Sequence, residues 1–153
     1  MWRHELTAAT AEQTQGFAAK LAGVIRKGDV LCLQGTLGSG KTTFSQGIIQ
    51  ALLPGEEVTS PTFNLVKTYP LPGFDLWHFD LYRLDRREQL WELGIEEALM
   101  EGALLIEWPE IAASLLPASR LTVKLEADAA TEKRTIRLEA EGGLWNERLK
   151  GVL

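Results

Sequence analysis

The sequence predicts an α/β domain: a central, mostly parallel sheet with antiparallel additions and helices on both faces. Three observations predict it. Residues 30–33 and 103–106 are short, continuously apolar runs, as expected of strands buried on both faces. Segments with helical spacing of apolar residues separate them. Residues 120–126 and 134–139 alternate apolar and polar across a short polar linker, the pattern of an antiparallel hairpin.

In chain order, residues 4–7 form a short edge strand. Thr10-Ala11-Glu12-Gln13 is a capping box that opens a helix. Phe17, Leu21 and Val24 or Ile25 then recur on one buried face. Lys27-Gly28-Asp29 ends that helix and turns into the strand at 30–33. A helix over 42–53 follows, stopped by Pro54-Gly55. Residues 62–69 have strand-like composition, and 70–73 form a turn. Residues 75–81 alternate, with Trp77, Phe79 and Leu81 on one side and Leu76, His78 and Asp80 on the other. Asp85-Arg86-Arg87-Glu88 is a second capping box. It opens a helix carrying Leu90 and Trp91, interrupted at Gly94. A further helical piece, 95–100, ends at Gly102. The apolar strand at 103–106 delivers Glu107 at its C-terminal end, and Pro109 suits the first turn of a short helix. After the hairpin, Gly142-Gly143 leads into a small C-terminal helix. No repeat, low-complexity tract or long linker divides the chain, so residues 1–153 are expected to form a single domain.

Between the strand at 30–33 and the helix at 42–53 lies Gly35-Thr36-Leu37-Gly38-Ser39-Gly40-Lys41-Thr42. It fits the phosphate-binding pattern of Gly, four residues, Gly-Lys, then Ser or Thr. Glycines let the backbone wrap a phosphate chain with its N–H groups inward, and the helix N-terminus adds partial positive charge. In such a loop Lys41 reaches the β and γ phosphates, and the Thr42 hydroxyl ligates Mg²⁺. A chance match in a chain this long is about one in a few hundred, so a nucleoside-triphosphate site is expected. The strand before and helix after fit a three-layer phosphate-loop NTPase-like fold.

Such a site needs a second acidic group near Mg²⁺. Glu107 is the best candidate, because ligands gather at the carboxyl ends of parallel strands. Asp80 is the second, either as a strand-end cap or as a group that positions or deprotonates water or holds Mg²⁺ through water. His78 is either a hydrogen-bonded core residue or part of the same chemistry. Arg83, Arg86 and Arg87 are either solvated charges or stabilisers of a transferring phosphoryl group. Trp108 either stacks on a base or fills the core, and the burial habits of tryptophan favour the core. Ser60-Pro61-Thr62 is either a plain turn or a stiffened switch segment facing the γ-phosphate or a partner.

Composition narrows the class further. The formal charge of -5 argues against a broad nucleic-acid-binding surface. Cys32 is the one cysteine, which excludes an internal disulfide, and its apolar neighbours predict a buried free thiol. No apolar run approaches membrane-spanning length and no secretory signal is visible, so a cytoplasmic location without membrane contact is expected. No Asn-Lys-x-Asp base-reading motif for guanine is present.

Taken in order, the residues from Gly35 to Thr43, Ser60-Pro61-Thr62-Phe63, His78-Phe79-Asp80-Leu81-Tyr82-Arg83-Leu84 and Glu107-Trp108-Pro109 resemble the motifs of the bacterial TsaE (YjeE) family. These are small ATPases required for making threonylcarbamoyladenosine on tRNA. The resemblance runs from about Thr10 to Arg134. It implies that Gly38, Ser39, Gly40, Lys41, Thr42 and Thr43 cradle the phosphates of ATP, and that Thr42 and Glu107 hold Mg²⁺. Lys41, Asp80 and Glu107 would be the catalytic group. Thr10 and Thr14, at the start of the first helix, would lie by the adenine, and Arg134, in the last hairpin, would approach the nucleotide. Family members commonly carry Asp and Ala where this chain has Thr36 and Ser39. The resemblance further implies partners, a TsaD–TsaB complex that meets tRNA itself and whose repeated turnover the ATPase cycle supports. Two alternatives stand beside it: a small-molecule kinase with Arg83, Arg86 and Arg87 as its lid, and a non-hydrolytic switch in which ATP orders residues 58–65 for docking.

Overall fold

The computed structural model describes residues 1–36, 38–58, 61 and 65–153. Among these lie seven strands in one sheet: β1 (Trp2–Ala8), β2 (Val30–Gln34), β3 (Val66–Leu71), β4 (Phe74–Asp80), β5 (Ala103–Glu107), β6 (Leu121–Ala127) and β7 (Arg134–Ala140). The helices are α1 (Ala11–Ala22), α2 (Lys41–Leu52), α3 (Gln89–Glu92), α4 (Ile95–Glu101) and α5 (Leu144–Leu149), with a 3-10 turn at Pro109–Leu115. The strand order is β1-β7-β6-β2-β5-β4-β3. The four central strands, β6, β2, β5 and β4, run parallel, and antiparallel pairs flank them on both sides.

The continuous apolar runs have a simple cause. Successive residues of β2 face opposite sides of the sheet. Leu31 and Leu33 join one core with Phe44, Ile48 and Ile49 of α2, while Val30 and Cys32 join the other with Leu90 and Ile95. The first core is closed by α1, α2 and α5, the second by α3, α4 and the 3-10 turn. Each fully buried aliphatic or aromatic side chain here contributes on the order of 1.5–3 kcal/mol relative to exposure. The alternation expected in β4 holds: Leu76 packs on the first core, and Trp77 and Phe79 on the second.

Several boundaries differ from expectation. The first strand is longer than residues 4–7 and runs along β7 as an edge. α1 ends at Ala22, after which Val24 and Ile25 close tight turns onto Leu21 and Ala22. β3 continues through Pro70 and Leu71, where a turn was expected, because an edge strand tolerates a residue without an N–H. The Asp85–Glu88 capping box does not form. Gln89 takes the role, its Oε1 accepting the N–H groups of Asp85 and Arg86 at 3.3 and 3.1 Å, and helix begins only at Gln89. The Thr10 half of the first box does form, with Thr10 Oγ1 accepting from Gln13 N–H at 3.2 Å, but Gln13 Oε1 reaches back one residue further than expected and accepts from Ala9 N–H at 2.7 Å.

α1 and α2 pack unusually close, and this brings the start of α1 to the loop before α2. A side chain at Gly47 would lie 2.8 Å from both Ala18 Cβ and the Gln15 carbonyl oxygen. Among the described residues no helix is long and apolar enough to cross a membrane.

Candidate nucleotide site

The segment between β2 and α2 turns back on itself. Gly38 and Gly40 have φ of 77° and 108°. A methyl group at Gly35 would lie 2.5 Å from the Leu125 carbonyl oxygen and would collide with Ser39 Oγ. No side chain caps α2, so the N–H groups of its first turn and the positive end of its dipole are available to an anion. Thr42 and Thr43, both half-buried, stand in that turn. Ser39 is fully buried, and its hydroxyl has no hydrogen-bond partner among the described residues. Thr36 is exposed.

Lys41 is folded against this loop. Its Nζ donates to the carbonyls of Gly35 and Thr36 at 2.6 and 2.9 Å and lies 4.1 Å from the centroid of the Trp108 ring. Burial holds the amine below the ordinary lysine pKa, opposed by Glu107, Asp80 and Glu110. An ammonium kept in this setting is poorly solvated, which raises the value of any anion brought to it.

Asp80 and Glu107 end β4 and β5 and are direct partners in the parallel register. Both are buried. Asp80 Oδ1 accepts the Tyr82 N–H at 3.1 Å, and the Asp80 N–H donates to the Leu65 carbonyl at 2.9 Å. Glu107 Oε2 lies 2.6 Å from His78 Nε2 and 3.4 Å from Ser45 Oγ. The Ser45 hydroxyl has one proton, and its shorter contact is the Lys41 carbonyl at 2.9 Å, so His78 is the main partner of Glu107. His78 is therefore a hydrogen-bonded buried residue, but its partner is the candidate metal ligand rather than the core.

Trp108, expected to fill the core, does not. It adopts a left-handed backbone, φ 57° and ψ 61°, at a cost of about 1–3 kcal/mol. That turn sets its ring between Lys41 and Tyr82, the latter at 4.8 Å between centroids and tilted. Arg83, Arg86 and Arg87 are exposed, and Arg87 Nη1 is engaged by Ser114 Oγ at 2.8 Å.

On the other side of the loop, Ala11, Thr14, Gly40, Thr43, Glu132 and Arg134 line a small cleft of about 50 Å³. Arg134 packs over Gly40 and donates to the Gly38 carbonyl at 3.4 Å. Thr14 is buried, with its hydroxyl 3.4 Å from the Thr10 carbonyl. Thr10 is occupied as the cap of α1, and it is Ala11 rather than Thr10 that lines the cleft. Of the Ser60–Phe63 segment only Pro61 is among the described residues. Ser45 and Glu132 had no signal that singled them out. Ser45 is one helical turn after Lys41 on the buried face of α2, a spacing that places it beside the strand ends.

The cradle suits a polyphosphate with a divalent cation. Turned backbone, an uncapped helix start and Lys41 suit the anion. Among the described residues no three His, Cys, Asp or Glu side chains gather to hold a metal alone. Thr42 and Glu107 are hard oxygen donors of the kind that complete the coordination of a phosphate-bound Mg²⁺.

A sequence model of the family described as Threonylcarbamoyl adenosine biosynthesis protein TsaE matches residues 8–136, which include the loop, Asp80, Glu107 and Arg134. The chain belongs to the TsaE family. It is 44% identical over 117 residues to the tRNA threonylcarbamoyladenosine biosynthesis protein TsaE of Rickettsia bellii, covering 75% of this chain and 81% of that one. The Bacillus subtilis protein of the same name is 36% identical over 132 residues, covering 86% and 82%. The crystal structure of Bacillus subtilis YdiB superposes with a TM-score of 0.80 at 28% identity, covering 99% of this chain and 94% of that one. Threonylcarbamoyladenosine biosynthesis on tRNA is thus the family's role.

Proposed function

We propose that this TsaE-family chain is a Mg²⁺-dependent ATPase that binds a TsaD–TsaB complex and couples ATP hydrolysis to repeated formation of threonylcarbamoyladenosine on tRNA. The observation that carries the catalytic part is the register pair Asp80–Glu107, two buried carboxylates at adjacent strand ends, beside Lys41 and the start of α2. Thr42 and Glu107 are the residues that would hold Mg²⁺, which supplies charge neutralisation between phosphates when bound. Lys41 and the N–H groups from Gly38 to Thr43 bind the phosphate chain. Asp80 orients the attacking water and takes up its proton. Thr14 and Arg134 flank the bound nucleotide from the cleft beside Gly40. The tRNA is met through the partners, in keeping with a net charge of -5.

The kinase alternative loses weight because Arg87, one of its three lid arginines, is held by Ser114. The test measures phosphate release and threonylcarbamoyladenosine formation over many turnovers with TsaD, TsaB and tRNA, with and without this protein. Stimulated turnover with free phosphate as product is expected. Absence of ATP hydrolysis in the complete mixture, or a phosphorylated acceptor in place of free phosphate, would sink the reading.

A further inference from the structure

Glu107 poses a positioning problem that its own strand does not solve. A glutamate has three side-chain torsions, and one swinging freely would present its oxygens to a cation only part of the time. In this fold it does not swing. His78 is completely buried, Glu107 is 2% exposed, and the two side chains lie on the same face of adjacent parallel strands. His78 Nε2 sits 2.6 Å from Glu107 Oε2. A carboxylate only accepts, so the proton of this bond belongs to Nε2. Both contacts to Glu107, from His78 and from Ser45, fall on Oε2. Among the described residues Oε1 has no such partner. At the far side of the ring, His78 Nδ1 is buried without a hydrogen-bond partner among the described residues. The ring thus gains its one polar contact by holding Glu107, at the cost of leaving Nδ1 unpaired.

We propose that His78 is a positioning residue that fixes the Glu107 carboxylate through Oε2 and so presents Oε1 to the divalent cation of a bound nucleotide. This rests on the Mg²⁺-nucleotide reading given above and adds a residue to it. Partners that orient metal ligands typically change metal affinity about 10–100-fold when removed. His78→Phe keeps a flat ring, somewhat larger than imidazole, and loses the donor. His78→Gln keeps a nitrogen donor near the place of Nε2.

The test is calorimetric titration of each protein with ADP, in Mg²⁺ and in EDTA, with a thermal melt to verify folding. For the wild type, Mg²⁺ is expected to tighten ADP binding. His78→Phe is expected to lose about 10-fold of that Mg²⁺-dependent gain, with its affinity in EDTA unchanged, and His78→Gln to recover most of it. A His78→Phe protein with the full Mg²⁺ gain overturns the positioning role, as does a folded His78→Gln that fares no better than His78→Phe. A wild type whose ADP affinity ignores Mg²⁺ overturns the nucleotide-site reading as well, which separates the two failures. Should His78→Phe not fold, ¹⁵N-edited imidazole spectra of the wild type decide. The His78 Nε2 proton is expected to shift when Mg²⁺ is added to the ADP-bound protein; an unmoved signal overturns the proposal.

Discussion

At the amino end of β2, Asp29 meets Arg148; at the carboxyl end of β5, Glu107 meets His78. Both pairs are buried acidic groups with a nitrogen partner, yet they are finished differently. Asp29 Oδ2 accepts the Arg26 N–H at 2.6 Å as well as Arg148. Arg148 also donates to the Val24 carbonyl at 3.5 Å and stacks over Trp145 at 5.0 Å. That end ties the loop after α1 to the C-terminal helix. At the other end, the contacts from His78 and Ser45 both fall on one oxygen of Glu107, Ser39 and His78 each keep an unpaired polar atom among the described residues, and Lys41 rests on loop carbonyls and an aromatic face. The Asp29–Arg148 pair is a fastening, although it too leaves one atom, Arg148 Nε, buried without a hydrogen-bond partner among the described residues. A buried group left short of partners is unfavourable on folding, and a cluster of such polar groups in one place marks a site a ligand would complete. Neither the pairing nor a single unpaired atom therefore distinguishes structure from function; what sets the carboxyl end apart is that Ser39, Lys41, Asp80 and Glu107, all buried and polar, gather around the loop before α2.

The largest effect tests the fastening. Removing one member of a buried ion pair leaves the other uncompensated, at a cost of about 3–5 kcal/mol. Arg148→Leu is expected to lower the urea midpoint accordingly, while Asp29→Asn combined with Arg148→Leu recovers part of the loss. Nucleotide affinity measured below the melting range should stay within about twofold, since the pair lies at the opposite end of the strands from the loop. A single variant losing less than about 1 kcal/mol would remove the distinction between the two ends.

The next effect comes from the unfinished end. Lys41→Met is expected to reduce phosphate release about 100-fold or more by taking a preorganised positive charge from the phosphates. The same change should leave the fold at least as stable, because burial disfavours the charged amine. The pH dependence has a defined sign. A lysine pKa lowered by folding means the unfolded chain binds more protons between the lowered value and the ordinary 10.5. Stability of the wild type relative to Lys41→Met therefore rises with pH through that window. The comparison must be between the two proteins, because Cys32 acts oppositely. Burial pushes its thiol up to about 12 from 9.0, so its contribution is lost as pH climbs between those values. Paired urea titrations across alkaline pH measure the difference, and a flat difference would contradict the buried charge.

How much of this was legible in the sequence follows from the range of each interaction. The loop, the uncapped helix after it and the alternation of β4 are local patterns, and they appear where the residues place them. Glu107 at a strand end was readable because the apolar run of four residues before it has one carboxyl end. The β4–β5 register was not readable, since it is set by packing between residues 27 apart, and with it went the meeting of His78 and Glu107. Arg134 over Gly40 spans still more chain and entered only through the family resemblance. Trp108 misled because a large apolar ring is usually buried, whereas its left-handed backbone turns it toward Lys41. The Asp85 box misled for a local reason: Gln89, one residue on, takes the Asp85 N–H that Glu88 would have accepted, and the Arg86 N–H with it.

The smallest expected effect sharpens the comparison from outside. On β1, β7 and β6, charges line an open sheet face. Glu139 takes Lys124 at 2.7 Å and Arg3 at 3.2 Å, and Arg137 takes Glu5 at 3.1 Å and Glu126 at 3.9 Å. The shortest of these, Lys124–Glu139, comes close to the 2.6 Å of His78–Glu107, but water reaches the bases and screens them. The hydrogen bond from Lys124, with help from Arg3 and Arg137, holds the Glu139 carboxyl below the usual glutamate range despite partial burial. A depressed carboxylate pKa contributes stability above the ordinary value, and that contribution is lost as pH falls through the depressed one. Glu139→Gln should therefore cost less than about 1 kcal/mol near neutral pH and low salt. The cost should shrink in acid, and again near 1 M salt, where the screening length is about 3 Å. Urea midpoints of the two proteins under these conditions measure it. A loss approaching that of Arg148→Leu would mean the open face is energetically a second interior, and that distance rather than burial sets the worth of a charge pair in this fold.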